Sequence, residues 1–181
     1  MELEYILRTW RMTDAAALSW YANDPEVAMN LRDTFPNPYG LEDAKAYIQK
    51  CREKEGEQLC RAIIVNGEAA GSIVVIPGTD VDRRRAEIGY WLAKPYWGKG
   101  LMTDVVGQIC REAFAQFDIV RIGAEVYSRN LASRRVLEKN GFTLEGILRK
   151  SIFKNGKLLN SRLYGLLKEE WKAPDAESGA S

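Results

Sequence analysis

The chain of 181 residues contains no histidine, only three cysteines, and a net charge of +1 from 26 basic and 25 acidic residues. Each scarcity excludes something. Without histidine, the side chain that titrates closest to neutral pH is missing, so a general base has to be a carboxylate, acting through a water. Cys51, Cys60 and Cys110 form no CxxC pair and are odd in number, which argues against a disulfide framework and against a zinc site. The expectation is three reduced, half-buried thiols and no metal. The balanced charge leaves Arg83-Arg84-Arg85 and Arg134-Arg135 as local clusters, too little for a nucleic-acid footprint. No apolar run approaches the roughly 18 residues of a membrane span. The start, MELEYILRTW, lacks a basic stretch followed by an apolar one. A cytoplasmic protein without membrane or nucleic-acid partner is expected.

What is present reads as one ordinary globular unit, 46% hydrophobic and 28% charged. Alternation predicts a first strand over Leu3 to Thr9. Thr13 and Asp14 offer a helix cap before Ala17 to Tyr21, and Asn23-Asp24-Pro25 stops that helix. After the turn Phe35 to Gly40, Leu41 to Glu55 reads as an amphipathic helix with Ala44, Tyr47, Ile48 and Cys51 on one side. Leu59 to Val65 and Gly71 to Ile76 flank Asn66-Gly67, a hairpin signature. Ala86 to Ala93 is a further strand. Leu101, Val105, Ile109, Ala113 and Phe117 recur every four residues, the mark of a long amphipathic helix. Ile119 to Tyr127 is a strand and Leu131 to Lys139 a short helix closed by Asn140-Gly141. Phe142 to Phe153 and Leu158 to Leu167 form a last hairpin around Asn155-Gly156. The order implies an α/β (α+β) fold, a single mixed, largely antiparallel central sheet flanked by helices. Residues 173–181, APDAESGAS, read as a flexible tail on a domain of residues 1–172.

Between the strand ending at Ala93 and the long helix lies PYWGKGLMTD, residues 95–104. A glycine-rich turn feeding a helix N-terminus exposes unpaired amides at the positive end of the helix dipole, which together form an anion site. The same glycines would equally serve a tight strand-to-helix connection. The dinucleotide turn is incomplete, because Thr103 stands where a third glycine belongs, and no GxxxxGK[ST] occurs in the chain.

The blocks Ala86-Glu87-Ile88-Gly89-Tyr90-Trp91-Leu92, Tyr96 to Thr103, Asn130-Leu131-Ala132-Ser133 and Lys139-Asn140-Gly141-Phe142 occur in an order and spacing that resembles the GNAT acyl-CoA N-acyltransferase superfamily. Leu7-Arg8, Asp24-Pro25-Glu26-Val27 and Phe35-Pro36-Asn37-Pro38-Tyr39 look like its ribosomal-protein N-acetyltransferase (RimJ/RimL-type) branch. The resemblance spans roughly residues 5–170. It departs at Trp97 and Met102, where the family's phosphate motif usually has other residues, although a site made of backbone amides tolerates such changes. It departs again at Leu137, where the superfamily often has the tyrosine that protonates the thiolate. At Ile152 the branch's ribosomal members carry a carboxylate, which counts against a ribosomal-protein substrate.

The resemblance implies acetyl-CoA as cosubstrate, its pantetheine arm paired along the backbone of Leu92 and Ala93. It implies a pyrophosphate held by the amides of Trp97, Gly98, Lys99, Gly100, Leu101 and Met102 together with Thr103. Asn130 would meet the pantetheine, Ser133 would lie near the thioester sulfur, and Arg134 would reach a CoA phosphate, a solvated arginine being the alternative. Glu87 matches the strand carboxylate that serves as base, with a surface ion pair to Arg83, Arg84 or Arg85 as the alternative. Ser133 is the hydroxyl placed to hydrogen-bond the leaving sulfur, and strand-end amides near Leu92 would stabilise an oxyanion. The implied activity is transfer of an acetyl group to a primary amine, on a peptide N-terminus or a small molecule. A non-catalytic acyl-CoA sensor is the alternative. The acceptor pocket would be framed by residues 13–50 and the last hairpin, with Trp10, Trp20, Tyr39 and Phe153 as candidate walls; monomer and homodimer both remain open.

Overall fold

Asn66 and Gly67 turn the chain at positive φ, 50° and 84°, the tight geometry that matches the twist of the two strands they join. Those strands are β2 (Leu59–Val65) and β3 (Glu68–Pro77). The structure, a computed structural model, describes residues 3–172, so the expected tail over 173–181 lies outside the described residues. β1 (Tyr5–Arg8) is followed by α1 (Ala15–Ala22), α2 (Pro25–Ala28) and α3 (Leu41–Glu53). Asn23-Asp24-Pro25 ends one helix and starts another. The Asp24 carboxylate accepts from the Glu26 amide at 2.8 Å and Pro25 occupies the first turn, where a missing N–H costs nothing.

β4 (Arg85–Leu92), α4 (Leu101–Gln116), β5 (Arg121–Tyr127), α5 (Leu131–Lys139), β6 (Thr143–Lys154) and β7 (Lys157–Leu167) complete the chain. The seven strands form one sheet in the order β1-β2-β3-β4-β5-β7-β6. Every neighbouring pair is antiparallel except β4 and β5, which are parallel. The sheet is therefore mixed and largely antiparallel, as the element order predicts. α4 and α5 cover one face, where Leu101, Val105, Ile109, Ala113 and Leu137 pack on Ile63, Ile73, Ile122 and Leu166. α1 and α3 cover the other, where Leu18 and Ile48 pack on Trp10, Ala62 and Ile64. Among the described residues no helix is long and apolar enough to cross a membrane.

The cysteines depart from the expectation of three reduced thiols. Cys51 on α3 and Cys60 on β2 form a disulfide with their Cα atoms 5.8 Å apart, while Cys110 is free and buried on α4. An odd count excludes a complete framework, not a single bridge. What brings these two sulfurs together is the docking of α3 across β2 in the second core, a contact that sequence spacing does not encode.

Candidate functional site

β4 and β5 share only three rungs, Arg85–Arg121, Ala86–Ile122 and Glu87–Gly123. β3 then holds β4 as far as Leu92, and β7 holds β5 as far as Tyr127. Beyond Glu87 each strand follows its own antiparallel neighbour, and the sheet opens into a cleft of about 1970 Å³. The Ala93 amide donates to Ala70 O at 2.8 Å. Because bonded and non-bonded positions alternate along an antiparallel pair, the backbone groups of Ile88, Tyr90 and Leu92 point away from β3, into the opening. This corrects the expected pantetheine edge: Ala93 is spent on β3, the Leu92 carbonyl accepts from the Trp97 indole Nε1 at 2.7 Å, and Tyr90 joins Leu92 on the free edge.

At one end of the cleft the chain runs into α4. Gly98 and Gly100 sit at φ 72° and 76°, the latter as the N-cap residue. A Cβ built on either would meet nothing within 4 Å, so the glycines answer to backbone conformation alone. The Trp97 amide donates to Lys94 O at 3.1 Å and the Thr103 amide to Gly100 O at 3.1 Å. Among the described residues the five amides between them, Gly98 to Met102, have no hydrogen-bond acceptor. The run of free amides is thus narrower than the sequence implied, without Trp97 N or Thr103 N. Its donors, at the positive end of a 16-residue helix, fit a diphosphate. Lys99 on the same turn, and Arg135 and Lys139 from across the cleft, add positive charge to its lining.

α5 forms the opposite bank. Asn130 caps it, its Oδ1 accepting from Ser133 N at 3.2 Å. Asn140, at the far end, donates through Nδ2 to Thr103 O at 3.0 Å and Val136 O at 2.9 Å, tying the end of α5 to the start of α4. Ser133 is buried and lines the cleft. Its Oγ lies 2.8 Å from the hydroxyl of Tyr90, a residue that sequence reasoning missed. The available signal was a phenol on the core-facing register of a strand otherwise occupied there by Ala86, Ile88 and Leu92. Arg134 does not line the cleft; its Nη1 donates to Ser128 O at 3.2 Å, and Arg135 takes the cleft position instead.

Glu87 occupies the vertex where the strands part, on the face opposite Tyr90. None of the three arginines competes for it: Arg83 bonds Asp80 O, Arg84 pairs with Asp118 and Arg85 with Asp82. Its carboxylate lies over Gly123, where an added Cβ would come 3.0 Å from Oε1 and 3.2 Å from Oε2. Gly123→Val is therefore expected to push the carboxylate off its seat and lower kcat by about 10- to 10²-fold, with CoA affinity unchanged by calorimetry. Next to it Arg121 pairs with Glu145, whose hydrogen bond, with a smaller contribution from the charge of Glu87, raises the Arg121 pKa.

On this face Phe35 packs tilted against Tyr39, at 5.0 Å, and edge-on against Trp91, at 5.7 Å, forming an aromatic wall. The loop carrying Phe35 is held down by Lys154 Nζ to Asp33 Oδ1, 2.8 Å, and by Arg129 Nη2 to Met29 O, 2.5 Å. Of the expected walls, Tyr39 and Phe153 line the cleft. Trp10 does not, being buried against Tyr47, and Trp20 is 79% exposed to solvent. Leu137 is fully buried in the core, and Ile152 lines the cleft.

Residues 4–143 match the acetyltransferase (GNAT) domain. The chain is 29% identical over 169 residues to the uncharacterized N-acetyltransferase p20 of Bacillus licheniformis, covering 91% of this chain and 93% of p20. It is 32% identical over 152 residues to the prophage-derived, uncharacterized N-acetyltransferase YokL of Bacillus subtilis, covering 82% of each. Among solved structures, RimJ of Mycobacterium smegmatis in complex with CoA-disulfide superposes with a TM-score of 0.82 at 27% identity, over 93% of this chain and 86% of that one.

Proposed function

The chain belongs to the GNAT acetyltransferase family, an acetyl-CoA-dependent N-acetyltransferase, and from that premise we propose how its own residues divide the work and what kind of amine it accepts. Acetyl-CoA supplies an activated acyl group on a thiol of low basicity. The amides of Gly98 to Met102 hold its pyrophosphate, and Lys99, Arg135 and Lys139 attract its remaining phosphate. The free edge of β4 at Tyr90 and Leu92 receives the pantetheine as an added strand. Asn130 bonds the arm from the other bank, which leaves the thioester beside Ser133.

The acceptor is a primary amine, on a peptide N-terminus or a small molecule, entering past Phe35, Tyr39 and Trp91. An alkylammonium has a pKa near 10.4 and carries no lone pair at neutral pH. Glu87 takes its proton through a water, and a free amide of the β4 edge near Leu92 donates to the carbonyl oxygen as negative charge builds there. The observation that carries this reading is the parting of β4 from β5 directly after Glu87–Gly123, with five free amides at one end of the opening and a carboxylate at its vertex.

Thiol release from acetyl-CoA, followed across a panel of peptides, polyamines and amino acids, tests it, with mass spectrometry of the acceptors alongside. A gain of one acetyl group on at least one amine is expected. Failure of CoA to bind at millimolar concentration would overturn the assignment of the anion site.

A further inference from the structure

Leu137 is fully buried in the α4 and α5 core, so it offers the leaving sulfur nothing. A phenol reaches Ser133 from the other bank. Tyr90 projects from β4 towards α5, lines the cleft, and brings its hydroxyl to 2.8 Å from Ser133 Oγ, with Ser133 O more distant at 3.4 Å. Two hydroxyls in contact on a cleft wall share their protons in one of two directions. Only one of these leaves the serine proton free to point outward.

We propose that Tyr90 is a positioning residue: its hydroxyl donates to Ser133 Oγ, turning the Ser133 hydroxyl outward as a hydrogen-bond donor to the CoA sulfur as the thioester breaks. The proposal rests on the placement of the thioester beside Ser133 given above. Burial pushes the Tyr90 phenol above its ordinary range, outweighing the opposing effect of the Ser133 bond. Tyr90 therefore keeps a proton to donate at neutral pH, and a phenol is a stronger hydrogen-bond donor than an alkyl hydroxyl, which favours the direction from Tyr90 to Ser133. The other titratable groups felt at the phenol are Cys110 on α4 and Tyr164 on β7. Cys110 is pushed up to about 12 by burial and is an uncharged thiol at neutral pH, and the Tyr164 hydroxyl donates to Glu138 at 2.9 Å. Neither group carries a positive charge that would draw the Tyr90 proton off.

The chemistry balances without proton transfer from either hydroxyl. The alkylammonium sheds two protons on becoming an amide: the first leaves through Glu87 and its water before attack, and the second passes from the adduct nitrogen to water as the C–N bond forms and the C–S bond breaks with its electron pair on sulfur. The thiolate is stabilised by the Ser133 hydrogen bond, itself polarised by Tyr90, and takes a proton from solvent on release. A thiolate is a weak enough base to leave without a proton being transferred in the same step.

The test reads the bound sulfur directly. The thiol pKa of CoA on the protein is measured by ultraviolet thiolate absorbance in wild type, Tyr90→Phe, Ser133→Ala and the double variant, with kcat and the KM for acetyl-CoA measured in parallel. Phenylalanine retains the ring packing, and thermal melting checks that the variant folds. Tyr90→Phe is expected to raise the bound thiol pKa by about one unit and to lower kcat about tenfold at unchanged KM, one unit and one factor of ten being the same free energy. Added to Ser133→Ala, it is expected to change neither quantity further. A bound thiol pKa unmoved by Tyr90→Phe, or losses that multiply in the double variant, overturns the role of Tyr90 while leaving the CoA site standing. No CoA binding by the wild type overturns both.

Discussion

Glu87→Gln is expected to lower kcat by about 10²- to 10⁴-fold while the KM for acetyl-CoA stays near its wild-type value. Glutamine keeps the shape and hydrogen-bonding reach of the side chain but cannot accept a proton, so the variant isolates basicity from packing. The environment of Glu87 makes the change clean. The carboxylate rests over Gly123, and the neighbouring arginines of the loop bond elsewhere, so no ion pair is broken and little stability should be lost. The variant should also change the pH dependence. With the base gone, only amine already deprotonated in solution can react, so the residual rate should climb tenfold per pH unit towards the amine pKa of about 10.4. Steady-state kinetics over that range, with acetyl-CoA saturating, checks both points. Turnover equal to wild type would return Glu87 to a surface role.

Replacing Gly98 and Gly100 together by valine is expected to weaken CoA binding by about 10²-fold, because left-handed backbone costs a side-chain-bearing residue roughly 1–2 kcal/mol at each position. Since a Cβ at either place meets nothing, the whole effect runs through φ. Relieving the strain rotates the amides of residues 98–102 away from a common point, and the anion site disperses. Gly56 provides the control, with φ 91° and nothing within 4 Å of an added Cβ, on a turn outside the cleft. Gly56→Val should lose about half as much stability, being one position instead of two, and leave CoA affinity untouched. Calorimetry of CoA binding beside thermal melting of both variants separates a displaced site from a weakened fold.

Features set by residues adjacent in the chain are legible in the sequence. Asn66-Gly67 and Asn155-Gly156 turn with positive φ at both residues, and the four-residue recurrence along α4 buries Leu101, Val105, Ile109 and Ala113. The glycine turn before α4 and the Glu87 strand are legible for the same reason. The rest depends on how elements dock. Which of Arg134 and Arg135 meets the cleft depends on the roll of α5, fixed by Ser133 and Leu137 beneath it and by the Asn140 bonds to Thr103 O and Val136 O. The Cys51–Cys60 bridge depends on a helix crossing a strand. Tyr90 reads as core by alternation, and its hydroxyl acquires meaning only when α5 brings Ser133 to it.

β5 holds β4 by three rungs and β7 by seven, and β7 is the last strand of the chain. On the ribosome this ordering has a consequence. In a nascent chain β1 to β4, the glycine turn and α4 are all made while β5 still lacks its main partner. Lys154, which straps down the Phe35 loop, is also made late. Coenzyme capture should therefore mature earlier in synthesis than amine capture, and chains stalled short of β7 should retain the nucleotide without being able to spend its acyl group.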